Sequence, residues 1–294
     1  MLAKPIPLYL ALILAANIGL AVGLAEYWLI NRSPLTPNAD ALTKELTAAV
    51  LPSGGYETSL TWGDIGKKLV EAGAIDEEQY QQLYTSPADG KDELDILKGS
   101  SSKPVSIHEN NAHFVLNTLW AFGLVQKSKV LDEGPMKSGD YSFMDFASTA
   151  GWTLGKKTAD KLYSSQEIVS LNDFQQELVQ RIAGNVYRPC CGNSTAFPDC
   201  NHGMAALGLI ELEVAAGIAE DQIYRDVLAF NSFWFPETYI QLAAYFQEQG
   251  IQWEAVDPQT VLGAQYSSAS GFANTASQII NPPSFDSGGG SCGV

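Results

Sequence analysis

The chain has little positive charge and few cysteines or histidines. Its 294 residues include 17 lysines and arginines against 33 aspartates and glutamates, a formal net charge of -16, and only 4 cysteines and 3 histidines. The acidic balance argues against a nucleic-acid partner and against electrostatic docking on anionic lipid. Four cysteines are too few for a disulfide-dense scaffold. P-loop, GxGxxG, GxSxG and HExxH motifs are absent, which removes the commonest nucleotide-binding, hydrolase and metalloprotease functions.

Apolar residues make up 46% of the sequence and aromatic residues 10%, so the chain is not wholly disordered. Its length fits one or two domains with a buried core. Strand-like alternation is scarce, while apolar residues recur at helical spacing in many stretches. The sequence therefore predicts an all-α fold: an N-terminal transmembrane helix followed by an extracytoplasmic helical bundle with a Cys-rich loop.

The N-terminal segment is the longest apolar run. Residues 6–25 carry no charge, and about twenty apolar residues are enough to cross a bilayer. Lys4 precedes the run, and Trp28 and Arg32 follow it, which favours a cytoplasmic N-terminus. We predict that residues 1–32 form a single-pass anchor. The alternative is a signal peptide cleaved after the small residues at 23–25, which would leave a secreted body.

Three further regions follow this segment. We predict that residues 33–106 form a small helical hairpin plus a linker, with helices over 40–51 and 61–84 and a polar linker over 85–106. Within the second stretch, Ala72-Gly73 ends one helix and Asp76 caps the next.

We predict that residues 107–280 form a helical domain and that residues 281–294 form a flexible Gly-rich tail. A helix over 171–186 begins at Asn172, a typical capping residue. Further helices are predicted over 203–216, 219–230 and 236–249.

One segment in this domain carries candidate chemistry. Residues 187–204, YRPCCGNSTAFPDCNHGM, hold the pattern C-C-x8-C-x-H, formed by Cys190, Cys191, Cys200 and His202. Three thiolates and one imidazole make a tetrahedral ligand set for a soft transition metal such as zinc or copper, with an iron–sulfur cluster as a weaker alternative. Cys200 would begin a helix, where backbone N–H groups favour a thiolate.

The residues around these ligands have predicted roles as well. We expect Arg188 to lower a thiol pKa further and Asp199 to cap the helix that follows.

The same cysteines allow two other functions. Cys191 or Cys200 could be the nucleophile of a thiol–disulfide oxidoreductase. A disulfide from Cys190 or Cys191 to Cys200 would instead make the chain a non-catalytic scaffold. We consider these two pairings because adjacent cysteines seldom form a disulfide with each other. Whether the protein is an enzyme stays open at this point.

Secondary candidates lie elsewhere in the chain. His113 could complete the cysteine site from another helix, or it could be a hydrogen-bonded structural histidine. Met204 offers a soft thioether ligand, or it packs in the core. Cys292, in the tail sequence GGGSCGV, could deliver a metal or resolve a disulfide, or lie in an inert tail. The expected partners are the membrane and a metal-donor or thiol-redox protein, with no nucleic acid.

Residues 187–235 resemble exported Cys-motif proteins. The Cys pair at 190–191, the DCN turn at 199–201 and the segment GIAEDQI at 217–223 resemble the membrane-anchored thiol oxidoreductases of cytochrome c maturation (the CcmH type), whose Cys pair is spaced CxxC. PCCG at 189–192, followed by Asp-Cys, resembles the exported PCYCGC-motif proteins. The spacing over 191–200 is similar to the centre of the CDGSH iron–sulfur motif. These resemblances imply that a Cys-rich turn opening a helix holds a metal or a redox thiol.

Overall fold

Helices dominate the structure. The computed structural model describes residues 39–285, which are mostly helical with one small sheet. The elements before the Cys-rich loop are α1 (Ala39–Val50), β1 (Tyr56–Gly63), α2 (Ile65–Ala72), α3 (Glu77–Leu83), two 3-10 helices (Pro87–Asp89, Lys91–Leu97), β2 (Ser101–Ile107), α4 (Ala112–Val125), α5 (Lys129–Asp132), α6 (Pro135–Ser138), a 3-10 helix (Phe143–Asp145), α7 (Ala147–Ala150), α8 (Ala159–Leu162) and α9 (Asp173–Asn185).

The Cys-rich loop connects α9 to the C-terminal half of the fold. This half contains α10 (Asn201–Ala215), α11 (Glu220–Trp234), α12 (Pro236–Glu248), a 3-10 helix (Trp253–Ala255), α13 (Pro258–Leu262), α14 (Ala264–Ser267) and α15 (Ala269–Ala276). Within residues 39–285, no helix is both long and apolar enough to span a membrane. The predicted anchor at 1–32, the residues 33–38 that follow it, and most of the predicted tail, including Cys292, lie outside the described residues.

The core is built around the crossing of α4 and α10, which make the most extensive helix–helix contact. Both helices are buried on nearly every face, α4 from Phe114 to Val125 and α10 from Asn201 to Val214. Glycines let the two backbones approach closely. A Cβ on Gly208 would lie 2.5 Å from the Leu119 carbonyl oxygen, and a Cβ on Gly123 would meet the Met204 carbonyl oxygen more closely still. Helices α9 and α11 pack on the outer faces of α10.

The predicted helical fold is confirmed in its main part, and one two-stranded antiparallel sheet is added to it. Strand β1 pairs with β2, with Tyr56 opposite Ile107 and Gly63 opposite Ser101. Alternate β1 side chains, Thr58, Leu60 and Trp62, are buried. The start of the stretch predicted as helix, residues 61–63, therefore belongs to a strand. The pairing partner lies some forty residues later in the chain, so local periodicity alone did not indicate it.

The segment predicted as a polar linker over 85–106 is ordered against the core instead. It contains the two 3-10 helices and most of β2. Ile96 and Leu97 are buried, at 0% and 2% exposure. Gly66 of α2 lets the Ile96 backbone pack closely, because an added Cβ at Gly66 would overlap the Ile96 carbonyl group. A polar composition predicted a linker here, but the buried apolar side chains of Ile96, Leu97 and Val105 pack the segment against the core.

The predicted helix boundaries around short capping motifs are confirmed. Gly73 ends α2 in the left-handed conformation, and the Asp76 side chain accepts a hydrogen bond from the Glu78 backbone at the start of α3. Asn172 begins α9 in a reciprocal capping box with Gln175. These interactions span three or four residues, so they could be predicted from the sequence.

Helix α10 buries an acidic side chain, Glu211, within the core. Glu211 is 0% exposed, and neither of its carboxyl oxygens has a hydrogen-bond partner among the described residues. Burial raises the pKa of Glu211 well above its ordinary value of 4.5, because a low-dielectric interior disfavours the charged form. Burial therefore favours the protonated form of Glu211 in the folded protein.

We predict that Gly208→Ala destabilises the protein by about 1–3 kcal/mol, because the new Cβ would push α4 and α10 apart. Chemical denaturation of the full chain measures this loss. Gly184→Ala is the matched control: Gly184 lies at an exposed position of α9, and an added Cβ meets no atom of residues 39–285 within 4 Å beyond its own helical turn. The control should be neutral or stabilising by up to about 1 kcal/mol. Equal losses in the two variants would contradict the role of the glycine crossing.

We predict that Glu211→Gln stabilises the fold increasingly as the pH rises. The pKa of Glu211 is higher in the folded protein than in the unfolded chain, so folding takes up a proton when the pH exceeds about 4.5. The contribution of protonated Glu211 to the unfolding free energy of the wild type is therefore full below about pH 4.5 and decreases as the pH rises. Between about pH 5 and pH 8, the difference in unfolding free energy between variant and wild type should grow by up to about 1.4 kcal/mol per pH unit. Denaturation curves at several pH values measure it, and a difference independent of pH would contradict burial of a protonated Glu211.

Candidate metal centre

The Cys-rich loop folds back on itself between α9 and α10. Tyr187 and Ser194 form an isolated antiparallel bridge, and the Thr195 backbone N–H donates to the Val186 carbonyl at 2.7 Å. The loop is also attached to the C-terminal helices, because the Ala269 N–H donates to the Cys191 carbonyl at 2.9 Å. This reversal returns the adjacent cysteines to the start of α10.

The structure brings the four predicted ligands together. The Sγ atoms of Cys190 and Cys200 lie 3.5 Å apart. Ligand atoms of Cys190, Cys200 and His202 all lie within 4.8 Å of one another, and so do those of Cys191, Asp199 and Cys200. Cys200 belongs to both groups, so it is the centre of the cluster. Cys190, Cys191 and Cys200 are free thiols in the structure.

Cys200 is the N-cap of α10. Its Sγ accepts a hydrogen bond from the Gly203 backbone N–H at 3.4 Å. The predicted cap by Asp199 is wrong, because the Asp199 carboxylate is engaged by Arg188 instead. A sulfur at an N-cap receives the unpaired N–H groups of the first helical turn, which favour negative charge.

The three thiols have different proton affinities. Hydrogen bonds from the Cys190 and Cys191 thiols lower the pKa of Cys200 well below its ordinary value, against the opposing effect of burial. The same hydrogen bonds to Cys191 and Cys200, together with burial, raise the pKa of Cys190. These shifts favour the thiolate form at Cys200 and the protonated form at Cys190.

Arg188 is the buried scaffold of the loop. Its guanidinium, 0% exposed, donates from Nε to Cys200 Sγ at 3.2 Å and from Nη1 to the Asn193 carbonyl at 3.0 Å. Nη2 donates to the Phe197 carbonyl at 3.1 Å and to Asp199 Oδ1 at 2.5 Å. One planar side chain thus holds three parts of the loop and places positive charge beside the Cys200 thiolate.

Two further residues fix this arrangement, and the sequence argument missed both. A Cβ on Gly203 would lie 2.5 Å from Arg188 Nη2, so only glycine leaves room for the guanidinium. Asn193 Nδ2 donates to Asp199 Oδ2 at 2.8 Å. Gly203 could have been identified from the sequence, because a glycine in the first turn of a long helix destabilises the helix and so indicates close packing at that position.

His202 is held against aromatic rings. Its imidazole is 6% exposed and lies 4.4 Å, centroid to centroid, from Phe235 and 6.0 Å from Trp234. Its Nδ1 has no hydrogen-bond partner among residues 39–285. A buried ring nitrogen without a partner is costly unless it binds something, so this nitrogen is available as a ligand.

The secondary candidates lie outside this cluster. His113 does not belong to either group of mutually close ligand atoms found in residues 39–285; its Nε2 lies 3.4 Å from Asn117 Nδ2, and its ring contacts Tyr84. Burial lowers the pKa of His113, and the charge of His202 lowers it further against an opposing effect of Asp89. Met204 is 0% exposed at the crossing of α4 and α10, as expected of a core residue.

We predict that Arg188→Lys destabilises the protein by about 3 kcal/mol, because one ammonium group cannot replace the planar fork that binds four acceptors. Denaturant titration checks this loss. Arg181→Lys is the control, since Arg181 forms an exposed ion pair with Glu220 and its replacement should change stability by less than about 1 kcal/mol. Similar losses at both positions would contradict a scaffold role for Arg188.

Comparisons with known proteins give no relative: no protein-family model, no curated protein and no solved structure matches the chain. The resemblances of residues 187–235 to Cys-motif families therefore stay predictions.

Proposed function

We propose that the protein binds one soft transition metal ion through Cys190, Cys191, Cys200 and His202, and that it handles this metal as a membrane-anchored extracytoplasmic protein. The observation that carries the proposal is the mutual proximity, within 4.8 Å, of two thiol sulfurs and a histidine nitrogen, with Nδ1 of this histidine left without a partner in the described chain. The anchor rests on the apolar residues 6–25 of the sequence.

The donor set fits zinc or copper. Sulfur atoms at about 2.3 Å from one tetrahedral centre lie about 3.8 Å apart, close to the 3.5 Å between Cys190 and Cys200. Thiolate and imidazole are the ligands that soft and borderline cations prefer, and calcium or magnesium would not select them. A bound ion would supply a Lewis-acidic centre and keep the thiols deprotonated.

The charges around the cluster support this assignment. Three thiolates around a divalent ion leave an excess negative charge, and the buried Arg188 guanidinium opposes it. Cys190 and Cys191 are only partly buried, so a partner protein can approach this edge of the cluster. Exchange of thiol ligands between two proteins is therefore sterically feasible, which supports metal delivery over a purely structural metal.

We predict about one zinc or copper ion per full-length chain purified without chelator. Cys200→Ser should remove this stoichiometric metal, because Cys200 is shared by both groups of close ligand atoms. Elemental analysis measures the ratio. Met204→Leu is the control, since it removes a buried sulfur that belongs to the core, and it should keep the metal. Unchanged metal in Cys200→Ser, or none in the wild type, would contradict the proposal.

One observation favours a second function, thiol–disulfide exchange. The Cys200 sulfur lies 3.5 Å from Cys190 Sγ and 3.2 Å from Arg188 Nε, which suits an attacking thiolate with a resolving thiol beside it. Cys200 would attack a partner disulfide and release one partner thiolate. Cys190 would then give its proton to the first released partner thiolate, bond to Cys200 Sγ and release the second partner thiolate. The pair is oxidised by two electrons and the partner disulfide is reduced.

A thiol count on the same preparation separates the two functions. A metal site leaves all four thiols free after denaturation, whereas an oxidised exchange site shows two fewer thiols and no metal. Reduction of that disulfide by a dithiol, followed by reoxidation with a partner disulfide, would then support exchange.

A further inference from the structure

A second group of buried polar side chains lies at the other end of α10, away from the cysteines. Glu213 of α10 and Asp226 of α11 are each 0% exposed. Tyr56 of β1 and Gln222 of α11 contact Asp226. Two consecutive helices and the distant strand β1 thus meet at two carboxyl groups.

Only one of the four carboxyl oxygens is satisfied. Tyr56 Oη donates to Asp226 Oδ1 at 2.6 Å, and Gln222 Nε2 donates to the same oxygen at 2.7 Å. Asp226 Oδ2 and both Glu213 oxygens receive no hydrogen bond from a donor group in the part of the chain that the structure describes, and the two carboxyl groups can bond to each other only when one of them carries a proton. Buried oxygens without partners are costly, so a proton or a bound cation between the two groups would be stabilising.

The two carboxyl groups influence each other directly. Burial first, and then the neighbouring Asp226 carboxylate, raise the pKa of Glu213 to about 11. Both effects disfavour a second negative charge at this point. The site therefore takes either a proton or a cation.

A single proton provides a partner for fewer of the buried carboxyl oxygens than a bound cation does. One shared proton makes a single hydrogen bond between the two groups and leaves at least one buried oxygen without a partner. A cation can bind all three free oxygens. Because every available donor is an oxygen, the chemistry selects a hard ion and not the soft ion of the cysteine site.

We propose that Glu213 and Asp226 bind one hard divalent cation, with Ca²⁺ as the best fit, in a site closed by Tyr56 and Gln222. Ca²⁺ accepts irregular sets of carboxylate, amide and water oxygens. The Gln222 amide can rotate to present its oxygen, since the two ends of an amide have similar shape. Tyr56 and Gln222 are partly exposed, so they give the ion a route to the buried carboxylates. The ion would tie β1 to α10 and α11.

Calcium binding to the full chain tests this proposal. Isothermal titration should show one saturable site for Ca²⁺, and Ca²⁺ should raise the melting temperature. Glu213→Gln should lower the affinity at least tenfold and abolish the rise in melting temperature. Gln has the shape of a protonated Glu, so this variant should fold. Asp226→Asn should have the same effect, and it serves if Glu213→Gln fails to fold.

Glu211→Gln is the matched control. It changes the same residue type two positions away on the same helix, at a side chain equally buried and equally without partners among the described residues. This variant should bind Ca²⁺ like the wild type. Equal Ca²⁺ affinity in the Glu213 and Glu211 variants would overturn the proposal. So would a wild type whose melting temperature Ca²⁺ leaves unchanged, which would show that the pair holds only a proton.

Discussion

The buried guanidinium of Arg188 is the interaction on which the cysteine cluster depends. A positive charge without solvent is stable only where acceptors surround it, and the loop supplies two backbone carbonyls, the Asp199 carboxylate and the Cys200 sulfur. These contacts fix the path of the loop and the charge of the thiolate together. The absence of a side chain at Gly203 is part of the same constraint, since any Cβ there would displace the guanidinium.

Helix α10 carries residues of both proposed sites and holds them in a buried position. It is buried along almost its whole length, with Cys200 and His202 at its first turn and Glu213 near its end. Its crossing with α4 at Gly208 fixes its position, because close-packed backbones tolerate little displacement. Unpaired polar atoms on such a helix cannot relax toward solvent. Nδ1 of His202 and the Glu213 oxygens, which have no hydrogen-bond partner among residues 39–285, therefore stay unsatisfied unless a proton or a ligand binds them.

Much of the helical fold and the identity of the thiol cluster could be predicted from the sequence. Asp76 and Asn172 cap their helices as expected, and C-C-x8-C-x-H places four ligands within thirteen residues of chain. The sheet could not be predicted in the same way, since β1 depends on a partner some forty residues away. The expected cap by Asp199 failed for a similar reason: a buried arginine eleven residues earlier binds its carboxylate more strongly than backbone N–H groups do.

The sequence by itself determined what a few neighbouring residues can settle: helix ends, apolar faces and the grouping of soft ligands, because those interactions close within one or two turns. The tertiary structure decided which polar and charged groups are buried away from solvent. It lowered the pKa of Cys200, buried Arg188 beside this sulfur, and set Glu213 of one helix against Asp226 of another. Burial and the proximity of distant charges arise only when elements pack, and these two effects control the chemistry of both sites.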